Sequence, residues 1–252
     1  GYYCTTGANS SLQGQFSPAT GYTAPHPAKW TGEPVRPRDA ATLIILRDRR
    51  EVLLGVRNAR HVFMPHRYVF PGGRVDPGDS RVFSPEKLAA AEEEKLLESV
   101  SAARARALAL AAVRETFEET GLILGNRHPE PPRSRSAHWQ PFYRAGFVPA
   151  LDKMTYFARA ITPPGMVRRF DARFFIADAR NTRGELKGNG ELGDLQWVDL
   201  TEVQKLPLAP ITELVLGLLT QHLVPGTAAT TEAALYRELA GKELVELHWS
   251  AL

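Results

Sequence analysis

The chain has 252 residues, 43% of them apolar, with a formal net charge of +3 and a single cysteine, Cys4. That apolar share suits a globular core, and one cysteine excludes an internal disulfide framework and fits a reducing cytoplasm. The mild charge, without basic stretches interleaved with aromatics, speaks against a nucleic-acid partner, and no apolar run reaches the length of a membrane-spanning helix or forms a secretory leader.

Residues 1–37, rich in Gly, Ser, Thr, Ala and Pro, read as a poorly structured arm. His26 and His61 have no second His or Cys at ligand spacing, so both read as ordinary loop or surface residues. The folded domain is expected over residues 38–224. It opens with a buried-strand pattern, Ala41-Thr42-Leu43-Ile44-Ile45-Leu46, then a polar turn and a second strand from Glu51 to Arg57. Tyr68-Val69-Phe70 reads as a strand end. Pro71-Gly72-Gly73 then forces a tight turn at which backbone can approach a ligand closely and a glycine carbonyl is free to bind a metal.

An Ala-, Glu-, Lys-, Leu- and Arg-rich stretch follows. Ser84 has the chemistry of an N-cap, with Pro85 at the first helical position and Glu86 in the first turn. One helix from there to Glu119 is far longer than usual, so two helices are expected, with a break near 99–101. The second ends at Gly121 as a C-cap. On it Glu115, Glu118 and Glu119 stand at i, i+3 and i+4 and share a face, opposite a stripe of Leu110, Val113 and Phe117. Crowded carboxylates repel one another unless a cation neutralises them, and hard oxygen ligands on a rigid element suit Mg²⁺ or Mn²⁺. Arg114 beside them orients or balances one carboxylate. The plain alternative is a solvated acidic face.

The halves Pro71-Gly72-Gly73-Arg74-Val75-Asp76-Pro77-Gly78-Asp79 and Arg114-Glu115-Thr116-Phe117-Glu118-Glu119-Thr120-Gly121-Leu122 resemble the signature of the Nudix hydrolases. That signature reads Gly, five residues, Glu, seven residues, Arg-Glu, an aliphatic, any residue, Glu-Glu, any residue, Gly, an aliphatic. Here Asp79 replaces the first Glu, Thr116 replaces the aliphatic, and thirty-four residues, 80–113, stand where the family has seven. The resemblance implies an α/β fold: a Nudix α/β/α sandwich around a mixed sheet, with a helical insertion inside the box. It further implies Mg²⁺ or Mn²⁺ held by Glu115, Glu118, Glu119 and the Gly72 carbonyl, with Arg114 among the catalytic residues and a homodimer as the assembly.

Beyond the box, the prolines and arginines of residues 125–141 compose a loop, and 139–146 a short helix ending at Gly146. Strands are expected over 154–161, over 168–176 and over 195–200, then an amphipathic helix over 211–223. Pro225-Gly226 breaks it, and residues 225–252 read as a C-terminal helical tail from Thr231. Ile161-Thr162-Pro163-Pro164, Arg168-Arg169-Phe170-Asp171-Ala172-Arg173-Phe174-Phe175 and Phe63-Met64-Pro65 are similar to the long-insert Nudix branch that includes the peroxisomal coenzyme A diphosphatases and their bacterial relatives. Of the coenzyme A motif upstream of the box, Leu53, Leu54, Arg57 and Ala59 fit, while Val62 and His66 stand at its later Arg and Gly positions.

This resemblance implies hydrolysis of coenzyme A or acyl-coenzyme A to 4′-phosphopantetheine, or its acyl form, and adenosine 3′,5′-bisphosphate. Arg57, Arg60, Arg168 and Arg169 are the candidate phosphate donors, because guanidinium groups grip phosphate bidentately. Phe70 and Gly73 complete the substrate contacts. Glu191 and Asp194 are further candidates for the general base, or else solvated turn residues. Two other readings stay open: a Nudix hydrolase of ADP-ribose or a dinucleotide such as NADH, and a binding module without turnover. The terminal Ser250-Ala251-Leu252 lacks the basic middle residue of a peroxisomal address, so a cytoplasmic protein is expected.

Overall fold

The computed structural model describes residues 3–6, 35–58, 66–162, 168–223, 233–239 and 242–248. The strands are β1 (Tyr3–Thr6), β2 (Arg38–Arg47), β3 (Glu51–Arg57), β4 (Tyr68–Val69), β5 (Gly72–Arg74), β6 (Ile123–Arg127), β7 (Phe147–Pro149), β8 (Thr155–Ile161), β9 (Phe170–Asp178), β10 (Thr182–Arg183), β11 (Leu192–Asp199), β12 (Ala233–Leu239) and β13 (Lys242–His248). The helices are α1 (Ala90–Leu97), α2 (Ala102–Thr120), α3 (Gln140–Arg144) and α4 (Pro210–Leu223).

β2 is the axis of a mixed sheet of order β1-β13-β12-β8-β9-β2-β3-β11, with β4 added to β3 and β5 to β2; β10-β6-β7 make a separate small sheet. β2 runs parallel to β9 from Arg38 opposite Phe170 to Leu46 opposite Asp178, and turns antiparallel into β3 through Asp48 and Arg49, both at positive φ. Because side chains alternate along a strand, Ala41, Leu43 and Ile45 pack toward α2, while Ile44 and Leu46 pack under α4. Both faces of β2 are buried, which is why its sequence is apolar throughout. The result is the expected α/β/α sandwich. Among the described residues no helix is long and apolar enough to cross a membrane.

α2 begins at Ser101, whose hydroxyl accepts from the Arg104 backbone N–H at 3.4 Å, and ends at Gly121 with φ +75°. A Cβ at Gly121 would fall 2.6 Å from the Glu185 carbonyl oxygen, so this cap requires glycine twice over, for conformation and for space. The break between the two insertion helices falls where expected, but the first helix does not start at Ser84. Its N-cap is Ala89. The Ser84 hydroxyl instead donates toward the carbonyls of Glu86 and Pro149, tying the segment down before it can coil.

The tail departs from expectation more fully. Residues 233–239 and 242–248 form an antiparallel hairpin, not a helix. β12 pairs parallel with β8, so an open sheet edge supplies hydrogen bonds that override helical propensity. Within the arm, Tyr3–Thr6 is a strand parallel to β13. Residues 1–2 and 7–34 of the arm, with His26 and His61, lie outside the described residues.

The Arg-rich segment before and within β9 is part of the architecture. Arg159 donates to both Asp171 oxygens at 2.8 Å, and fully buried Arg173 pairs with the same carboxylate and donates to the Ser99 hydroxyl at 3.1 Å. Burial pushes the Asp171 carboxyl up, but the hydrogen bonds and charges of Arg159 and Arg173 outweigh it and hold the group below its ordinary value. A depressed acid contributes stability above its unfolded value, and that contribution is lost as pH falls through the folded one. Asp171→Asn is therefore expected to destabilise the protein by about 2–3 kcal/mol at neutral pH. Denaturant melts should show the gap closing below about pH 4.

Candidate active site

The acidic helix α2 lies against β5, and this contact builds the site. Gly72 pairs with Thr42 and Gly73 with Ala41, so the turn after Pro71 is stitched to the central strand. The Gly72 N–H donates to Glu119 Oε2 at 2.8 Å. A Cβ on Gly73 would sit 2.5 Å from the Glu115 carboxyl carbon, so two carboxylates rest directly on glycine backbone. Gly73→Ala is expected to push the Glu115 carboxylate aside and lower turnover about 10²-fold, the scale of a 1 Å misplacement. Steady-state rates beside an unchanged far-ultraviolet spectrum would check it.

Arg114 is the hub. Its Nε and Nη2 reach Asp79 Oδ1 and Oδ2 at 2.9 and 3.1 Å, Nη1 reaches Glu115 Oε1 at 2.9 Å and Glu118 Oε2 at 3.1 Å, and Nη2 also donates to the Arg74 carbonyl. Asp79, fully buried, further accepts from Trp139 Nε1 and from the Asp76 N–H, both at 2.8 Å. The residue replacing the family's Glu thus anchors the arginine on a short arm.

Burial pushes the Glu115 and Glu119 carboxyls upward. The neighbouring Glu118 and Glu191 charges add to the rise at Glu115, where Arg114 opposes it. At Glu119 the Glu115 and Glu191 charges add to it, and the Gly72 N–H and the Arg57 charge oppose it. Glu118 is the most open of the three and also meets His138, Nδ1 to Oε1 at 3.0 Å. As they stand, no three His, Cys, Asp or Glu side chains among the described residues are arranged to hold a metal ion. The cause is visible: Arg114 draws on Glu115 and Glu118, and Gly72 holds Glu119. The donor chemistry nevertheless fits a hard divalent cation, since carboxylates crowded in a low-dielectric cleft gain most from one.

The other candidates divide. Arg57, half-buried at the end of β3, faces Glu119; burial lowers its guanidinium value and the Glu119 charge opposes this. Among the described residues no side-chain hydrogen bond or ion pair engages it. The loop 184–191 closes over the end of α2, with Lys187 N–H donating to the Thr120 carbonyl and Asn58 donating to Gly190 and Glu191 carbonyls. This carries Glu191 to the acidic face. Asp194, at φ +44° in the β11 bulge, instead bonds the Tyr68 hydroxyl and Gln196.

Phe70 is buried in the core beneath α4, because alternation sends it and Tyr68 to that face. Arg169 is occupied by the carbonyls of Thr162 and Val35 at 3.0 and 2.8 Å, and Arg168 is exposed. Arg60 and Phe63-Met64-Pro65 lie outside the described residues. Sequence reasoning missed His138 and Trp139, which come from a stretch with the composition of a loop. A Trp-preceding His next to proline-rich chain carries no signal of its own.

The chain is similar to a Nudix hydrolase from Alicyclobacillus acidocaldarius, at 28% identity and a TM-score of 0.58, over 77% of this chain and 96% of that one. A MutT Nudix hydrolase from Burkholderia pseudomallei (19%, TM-score 0.43, 73% and 98% covered) and the Nudix domain of Shewanella oneidensis NrtR, crystallised with ADP-ribose (15%, 0.43, 75% and 90%), are more distant. No family model and no curated protein matches the chain. The fold and the acidic site are similar to those of Nudix hydrolases, and this likeness supports an enzyme of diphosphate hydrolysis.

Proposed function

We propose that the protein hydrolyses a nucleoside diphosphate linked to a second group, with coenzyme A or an acyl-coenzyme A as the substrate. The observation that carries the reading is the desolvated Arg57 guanidinium, close enough to Glu119 for their charges to interact: one cation placed to receive a phosphate beside acids suited to hold Mg²⁺ or Mn²⁺. Such an ion, when bound, neutralises phosphoryl charge and acidifies water.

The chain's own residues supply the rest. Glu115, Glu118 and Glu119 divide ligation and proton transfer, with the Gly72 carbonyl as a further ligand, and Arg114 fixes the carboxylates' orientation. Glu191 stands at the same face as a second candidate to take the proton from water. Arg57, Arg60 and Arg168 receive the substrate's phosphates, and Gly73 lets the diphosphate approach the backbone closely. The coenzyme A assignment draws on the Leu53, Leu54, Arg57 and Ala59 match and on the segment leading into β9. Since Arg169, Asp171 and Arg173 are engaged structurally, that segment supports kinship more than phosphate recognition.

The test is incubation with coenzyme A, acyl-coenzyme A, ADP-ribose and NADH, each with Mg²⁺, Mn²⁺ or EDTA, and product analysis by mass. Metal-dependent 4′-phosphopantetheine, or its acyl form, with adenosine 3′,5′-bisphosphate is expected. Cleavage of ADP-ribose or NADH alone would keep the chemistry and replace the substrate, and no turnover at all would leave a binding module.

A further inference from the structure

The segment 134–140 is built as a rigid wall of the acidic site. The N–H groups of Trp139 and Gln140 both donate to the Ser136 carbonyl at 3.1 Å, closing a turn that runs into α3. Trp139 is fully buried, with ring centroids 5.2 Å from Phe142 and 6.0 Å from Tyr143. On the opposite side Ser136 packs close to Gly78, in the turn before Asp79. Two adjacent side chains therefore grip the two ends of the Arg114 network. Trp139 Nε1 donates to Asp79, and His138 Nδ1 meets Glu118 Oε1 at 3.0 Å while Arg114 holds Oε2.

We propose that His138 is a positioning residue of this site, its imidazole fixing Glu118 in the orientation from which it ligates the divalent ion; the inference rests on the reading of the acidic face given above. A long, partly exposed Glu side chain samples several rotamers, and ordering it at the moment of metal capture costs entropy. Partners that bind carboxylate ligands from behind remove that cost, and their loss typically weakens metal binding 10–100-fold. Arg114 already has four other acceptor atoms to serve, so it cannot alone set the position of both Glu118 oxygens. His138 supplies the second point. Its anchor is Trp139, which is why a residue on a proline-rich loop can hold a defined place.

The test is titration of the full chain with Mn²⁺, reading free ion by electron paramagnetic resonance, in the parent, His138→Ala, His138→Asn and Glu119→Gln. The Asn amide offers a donor close to the place of Nδ1. His138→Ala is expected to weaken Mn²⁺ binding about 10–100-fold, with His138→Asn restored to within a few-fold of the parent. His138 is 56% exposed at its side chain, so melting temperatures in EDTA should agree across the His138 variants. Parent-like affinity in His138→Ala, or an Asn variant as weak as the Ala one, overturns the positioning role while the parent's own Mn²⁺ binding, lost in Glu119→Gln, upholds the site. A parent that binds no Mn²⁺ overturns the site and this role together.

Discussion

Asp79→Ala should be among the most destabilising single changes in the protein, costing about 3–5 kcal/mol, the range for removing one partner of a buried ion pair. Asp79 is fully buried and takes hydrogen bonds from Arg114 Nε, Arg114 Nη2, Trp139 Nε1 and the Asp76 N–H. Without it the guanidinium is left in a dry interior with its fork half empty, and an indole N–H loses its acceptor. Asp79→Asn should cost less, because the amide oxygen keeps the two bonds made at one oxygen's place while its nitrogen opposes the other two donors. Asp79→Glu tests the fit of the short arm: it restores the residue of the family signature, but the extra methylene must enter a fully packed pocket, for which about 1–3 kcal/mol is typical. Urea melts of the three variants in EDTA would order them as Ala, then Asn or Glu, then parent. A parent-like Ala variant would remove Asp79 from the fold's foundations.

Glu119→Gln should abolish metal-dependent turnover, by about 10²–10⁴-fold, the scale seen for loss of a positioned catalytic carboxylate. The amide oxygen can still accept from the Gly72 N–H, so folding should survive. The stability sign is informative. Burial, and then the Glu115 charge, raise the Glu119 carboxyl well above its ordinary value. A raised acid contributes stability below its unfolded value and loses it as pH rises through the folded one. In EDTA the Gln variant should therefore melt above the parent at about pH 8, with the difference vanishing below about pH 4. Added Mg²⁺ should reverse the order, since an ion at 100 times its Kd stabilises by about 2.7 kcal/mol and the variant forfeits this. Full activity in Glu119→Gln would remove that residue from the chemistry.

The parts legible in the sequence are those with local signals. The apolar run of β2, the Gly121 cap and the i, i+3, i+4 acids each follow from spacing alone, and all stand in the structure. The break between α1 and α2 was visible because Ser99-Val100-Ser101 interrupts an otherwise strong helical composition. What local pattern could not supply were choices made by distant partners. Ser84 has N-cap chemistry, yet the Pro149 carbonyl claims its hydroxyl. The tail has helix-forming residues, yet the β8 edge claims its backbone. Phe70 precedes the glycine turn, yet strand alternation turns it into the α4 core. Thr116, standing where an aliphatic is usual, is buried with its hydroxyl unpartnered among the described residues, which fits a position shaped for packing. His138 and Trp139 escaped because their role depends on a contact with Asp79 and Glu118 across the fold.

The Asp79–Arg114 pair also explains how a signature can be cut open without losing its geometry. In polymer terms the two residues are the ends of a loop, and the free energy of bringing ends together grows only with the logarithm of the length between them. Lengthening that loop from seven residues to thirty-four adds about 1.4 kcal/mol by the ideal-chain relation. The buried Leu88, Leu96 and Val100 of the added segment can offset so small a term. The distance between the half-motifs along the chain is thus nearly irrelevant to the catalytic geometry. What defines the box physically is a closed ring of contacts, and a search built on fixed spacing reads the string where the molecule conserves the knot.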